Sequence, residues 1–133
     1  MMNRTRSARA EYHQQQRQRV EESANLAELY PRLKSLNMHL EFFSAEGVTR
    51  MKELKYKVNI DNAKSVFLFG CASGECFGGD FDLTKEIARA ISVRKTAVNG
   101  ELLCQGQRRK PSGEVVSCQS VLRYKLKLAY KGR

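Results

Sequence analysis

Cys71, Cys76, Cys104 and Cys118 are the residues whose type and spacing point most directly to chemistry. Cys71 and Cys76 lie on a glycine-rich loop; Cys104 and Cys118 flank the turn Lys110-Pro111-Ser112-Gly113. A hairpin centred on Pro111-Ser112 places Cys104 opposite Cys118 or its neighbour, with Cys118 in phase with Leu122 and Leu126 on the core-facing side. A local Cys-x4-Cys pair plus a cross-strand pair makes a tetrahedral donor set, in which zinc takes four sulfurs at about 2.3 Å. With every coordination position filled by protein, such a zinc is structural rather than catalytic. The same residues also suit three other states. They can be small hydrophobic thiols near the core, or Cys104 and Cys118 can form a disulfide. Cys71 and Cys76 can be redox-active, although the spacing is not Cys-x-x-Cys and no Lys, Arg or His lies between them.

Charge is the second signal. Twenty-four Lys and Arg against 14 Asp and Glu give +10 over 133 residues, which favours an anionic partner, nucleic acid before a membrane surface. Arg123, Lys125, Lys127 and Lys131 share one side of a late strand, and Lys55 and Lys57 share the outer side of an earlier one. Arg108, Arg109 and Lys110 crown the hairpin, and Arg17 and Arg19 belong to an N-terminal arm. Such a set rewards phosphate backbones through counterion release. RNA or a ribonucleoprotein is expected over DNA, because nothing resembles a recognition helix. Base stacking is not expected, because the tyrosines fall mostly on buried faces. Outward lysines also discourage edge pairing, so a second expectation is a protein-interaction or assembly subunit docking through its N-terminal helix. A third is a thiol-redox or metal-responsive protein.

Catalysis finds little support, and no enzyme is expected. His13 lies in the arm and His39 at a wet strand position, and no serine elbow is present. Gly70, Gly74, Gly78 and Gly79 precede a helix, yet no Gly-Lys-Ser/Thr or G-x-G-x-x-G pattern follows. Glu75, Asp80 and Asp82 oppose an anion there. No apolar run reaches the roughly 20 residues of a membrane span, and the basic N-terminus lacks a signal-peptide core. A reducing cytoplasm is the expected compartment.

The expected scaffold is α+β: an antiparallel sheet of about five strands with one packed helix, the cysteine-rich loop and an N-terminal helical arm. Residues 1–22 form a basic mobile arm or frayed helix and 23–133 a single domain. The spacing of Val20, Ala24, Ala27 and Tyr30 predicts a short amphipathic helix ending at Pro31. Alternation predicts strands over Leu36–Phe42 and Leu54–Ile60, each with one buried face. Val66–Phe69 reads as a strand buried on both faces. Asp82 is placed to cap a helix lined by Leu83, Ile87, Ala90 and Ile91, and strands from Val98 to Gln107 and Ser117 to Tyr130 close the chain.

Overall fold

The computed structural model describes residues 4–132 apart from Glu46, Gly74, Glu75 and Gly78, and no side chain among residues 4–10, 12 and 13. The readings of Gly74, Glu75, Gly78 and the His13 side chain therefore lie outside the described residues. In chain order the elements are α1 (Arg4–Glu22), α2 (Leu26–Leu29), β1 (Leu33–Phe43), β2 (Arg50–Lys57), β3 (Leu68–Gly70), β4 (Cys76–Phe77), β5 (Asp80–Asp82), α3 (Thr84–Ser92), β6 (Ala97–Leu103), β7 (Gln107–Arg109), β8 (Val115–Ser117) and β9 (Val121–Tyr130). The class is α+β. The strands divide into a four-stranded sheet, β2-β1-β9-β6, a β3-β5 pair and a small β4-β7-β8 sheet, rather than one sheet of about five.

Alternation over Leu36–Phe42 of β1 and Leu122–Leu128 of β9 builds the core. Leu36, Met38, Leu40 and Phe42 stand opposite Leu128, Leu126, Tyr124 and Leu122, and all eight are buried. Ile87 and Ala90 of α3, with Leu83 just before it, join the same core. Phe81 of β5 meets Phe42 edge-on at 5.8 Å, and Phe69 of β3 reaches Tyr56 of β2 at 6.1 Å. Burying one Leu or Phe side chain is worth about 1.5–3 kcal/mol, so this two-sided packing dominates the stability of the large sheet.

Three local expectations change. β2 has no continuous buried face: Leu54 is half-buried and Tyr56 is 40% exposed, because β2 is the sheet's edge strand and its neighbour above, β3, is three residues long. Around Val66–Phe69, Phe67 is buried but Leu68 and Phe69 are half-buried, since β3 pairs with β5 alone. The helix expected through Tyr30 breaks at Ser23. Asn25 is extended and bridges Lys64, while Leu26 N–H donates to the Ala63 carbonyl at 2.8 Å, so a pairing distant in sequence overrides the local periodicity.

Asp82 also differs from its expected place. It is the last residue of β5, and Leu83 occupies the cap position of α3 without a side-chain cap bond. The Asp82 carboxylate still accepts the Thr84 N–H at 2.9 Å and pairs with Arg19 of α1 at 3.0 Å, fastening the end of α1 to the domain. Burial pushes this carboxyl up, but the Thr84 hydrogen bonds and the Arg19 guanidinium outweigh it and hold it below the ordinary carboxylate value. A carboxyl held low contributes stability at neutral pH that is lost as pH falls through the lowered value. Asp82→Asn keeps an acceptor for Thr84 but loses the exposed ion pair with Arg19, and is therefore expected to cost about 0.2–1 kcal/mol at pH 7 and to flatten the acid side of a stability–pH profile measured by urea unfolding.

Candidate metal centre and basic sheet face

The late hairpin carries two of the four thiols at a break in its own pairing. Leu103 pairs with Val121 and Gln107 with Ser117, so the register is the same on both sides of the break. Across the gap, Cys104 N–H donates to Ser120 at 2.8 Å and Cys118 N–H to Gly106 at 2.9 Å. Cys104 therefore faces Ser120 rather than Cys118, because the turn closes from Lys110 to Glu114 and centres the hairpin on Ser112. Gln119 takes a left-handed φ of 56° beside the break. The other two thiols come from the preceding loop. Cys71 follows β3 and donates its N–H to the Gly79 carbonyl at 3.4 Å; Cys76 opens β4 and donates its N–H to the Ser73 carbonyl at 3.2 Å.

These segments bring four sulfurs together. All lie within 4.8 Å of one another, with Cys71–Cys118 at 3.7 Å and Cys76–Cys104 at 3.6 Å. A tetrahedron with metal–sulfur bonds of about 2.3 Å has edges of about 3.8 Å, so the pairs already match those edges. Disulfide sulfurs would stand about 2.05 Å apart, and all four residues are free cysteines. Cys76, Cys104 and Cys118 are buried and Cys71 is half-buried.

The surroundings suit thiolates gathered on a cation. Gly106 N–H donates to Cys104 Sγ at 3.4 Å, and the buried Ser120 hydroxyl lies 3.1 Å from Cys118 Sγ. Burial pushes the Cys76 thiol far up and the Cys104 thiol up to about 12. At Cys118 burial acts in the same direction, but the Ser120 hydroxyl and N–H outweigh it and bring the thiol below its ordinary value. Soft sulfur donors select zinc, cuprous or iron–sulfur chemistry over hard cations. Two glycines make the cradle close-fitting. A Cβ at Gly79 would collide with Cys104 Sγ and come within 2.7 Å of Cys76 Sγ, and one at Gly106 would come within 2.6 Å of the Gly79 Cα.

The lysines occupy the opposite side of the large sheet. His39 of β1 is in register with Lys55 on one side and Lys125 on the other; Asn37 stands between Lys57 and Lys127. The Cα atoms of the four lysines thus form a rectangle of about 7 by 10 Å, from strand rise and spacing. Among the described residues none of the four is in an ion pair. Arg32 and Lys34, which the sequence reading did not single out, are exposed at the same end as Lys131, whose N–H donates to the Arg32 carbonyl.

Other cations expected in this patch lie elsewhere. Arg123 pairs with Glu101 at 3.4 Å and stacks 4.5 Å over the Phe43 ring, in a row that also holds Glu41 and Glu53. Arg108, Arg109 and Lys110 belong to the small sheet and its turn, where Lys110 meets Glu114 at 3.8 Å. Arg19 holds Asp82, and Arg17 lines a groove with Leu68, Gly70 and Asp80. His39 Nε2–H donates a 2.6 Å hydrogen bond to the Glu53 carboxylate, which lowers that carboxyl. Among the described residues, no helix is long and apolar enough to cross a membrane.

Comparison with family models, with curated proteins and with solved structures finds no match to this chain. Gly106→Ala is expected to destabilise the protein by about 1–3 kcal/mol through overpacking and to speed thiol modification. Gly70→Ala, whose added methyl has nothing within 4 Å, is expected to leave the thiols as slow as in the unsubstituted chain. Equal rates in both variants would remove the cradle.

Proposed function

We propose that this chain is a zinc-stapled basic module of the reducing cytoplasm that binds RNA, free or within a ribonucleoprotein, through its phosphate backbone. The observation that carries the reading is the lysine rectangle: Lys55, Lys57, Lys125 and Lys127 project together from one sheet face, around Asn37 and His39, with no salt bridge to a carboxylate among the described residues and only the charge of Lys55 felt by Glu53. Lys131, Arg32 and Lys34 extend the positive surface at one end. Phe43, the aromatic on this side, lies under Arg123, which favours backbone contact over base stacking. Zinc is supported by the sulfur spacing and the soft, all-cysteine donor set, and it serves as a staple because no coordination position is left open. Docking of a protein through α1 has weaker support, since the sequence of α1 carries no apolar stripe.

Four phosphate contacts to a single strand give a log–log slope of affinity against salt of about −3. Lys125→Glu with Lys127→Glu is expected to weaken binding of a labelled oligouridylate more than tenfold at low salt and to flatten that slope by about 2. Binding that ignores both salt and the double substitution would sink the RNA reading and turn attention to a protein partner. Metal content is the companion measurement. Protein purified without a metal-affinity tag is expected to carry one zinc per chain, with its four thiols protected until a chelator is added. Metal-free protein with four rapidly titrating thiols would overturn the staple and favour thiol-redox chemistry at Cys71 and Cys76.

A further inference from the structure

Arg108 stands opposite Cys76 in the β4–β7 pairing. Strand alternation puts it on the same face as Cys104 and Gly106. That face looks onto the sulfurs, since a Cβ at Gly106 would lie 2.8 Å from Cys76 Sγ. The Arg108 side chain is half-buried, and its Nε is shielded from solvent with no hydrogen-bond partner. Its guanidinium also takes part in none of the ion pairs among the described residues. Buried guanidinium N–H groups are nearly always bonded, and this Nε–H has no partner within the folded chain.

The sulfur cluster becomes an anion once a metal enters it. Four thiolates on a divalent cation carry a net charge of −2. The donors now reaching the sulfurs, the Gly106 N–H and the Ser120 hydroxyl and N–H, are neutral. A buried anion needs a compensating cation and further hydrogen bonds, and hydrogen-bonded neighbours of metal ligands tune affinity. We propose that Arg108 is the positioning residue of the metal centre: its guanidinium, in register beside Cys76, balances the tetrathiolate charge. This rests on the metal reading above and moves Arg108 from the phosphate-contacting set to the metal site.

The test uses the full chain and two substitutions, Arg108→Gln and Arg108→Lys. Zinc affinity is measured by competition with a chromophoric chelator, the cobalt-loaded site by its thiolate-to-metal charge-transfer band, and RNA by oligouridylate binding across salt. Arg108→Gln is expected to lower zinc affinity about 10- to 100-fold and to shift the cobalt band, leaving RNA affinity and its salt slope unchanged. Arg108→Lys, which keeps the charge, is expected to recover most of the zinc affinity. Unchanged zinc affinity in Arg108→Gln overturns the proposal, as does an equal loss in Arg108→Lys, which would make the role one of packing. Weakened RNA binding with intact zinc affinity would return Arg108 to the phosphate surface. An unsubstituted chain that binds neither zinc nor cobalt overturns the metal reading itself, an outcome distinct from failure of the Arg108 role alone.

Discussion

The meeting of four sulfurs within one small space is the constraint on which the second half of the chain depends. β4 has two residues and β7 and β8 have three each, too little backbone pairing to hold a sheet by itself. What brings the loop after β3 onto the hairpin is the approach of Cys71 to Cys118 and of Cys76 to Cys104, with Gly79 and Gly106 cut away to let the two backbones touch. Neutral thiols make this a weak apolar contact. Thiolates on a cation turn it into a cross-link between segments far apart in sequence, where closing long loops gains most.

The large sheet answers to a different constraint. The period-two alternation that sends Leu36, Met38, Leu40 and Phe42 inward sends Asn37, His39 and Glu41 outward, and the same holds for the leucines and lysines of β9. Register then decides which outward residues meet. The row through Glu41 joins Glu53, Arg123 and Glu101 and largely neutralises itself, whereas the rows through Asn37 and His39 collect lysine from both neighbouring strands. A uniformly basic composition is thereby sorted into a charged half and a balanced half.

Much of this was legible in the residues themselves. β9 alternates from Leu122 to Leu128, and its core and outer faces follow directly. The cysteine quartet followed from residue type and the turn between Cys104 and Cys118. Other features arise from contacts that no local pattern announces. The break at Ser23 depends on Lys64, 41 residues away in the chain, and the sheet divides because the hairpin is interrupted at its own cysteines. Arg123 reads as a free cation until the β1–β9 register sets Phe43 diagonally beneath it and β6 brings Glu101 beside it. Ser120 gave one signal, its parity with Cys118, and that is too weak alone to mark a hydroxyl aimed at sulfur.

The interrupted hairpin also determines where this chain tolerates changes of length. Because the register is equal on the two sides of the gap, Cys104 and Cys118 are held in step by the number of residues between each of them and the turn. Removing or adding one residue in β7 or β8 would turn a sulfur to the opposite face and rotate every cross-strand neighbour beyond it. Between Lys110 and Glu114, outside the paired ladder and exposed, extra residues would lengthen the loop without altering that step. The hairpin is thus rigid in length along its strands and open to insertion at its tip.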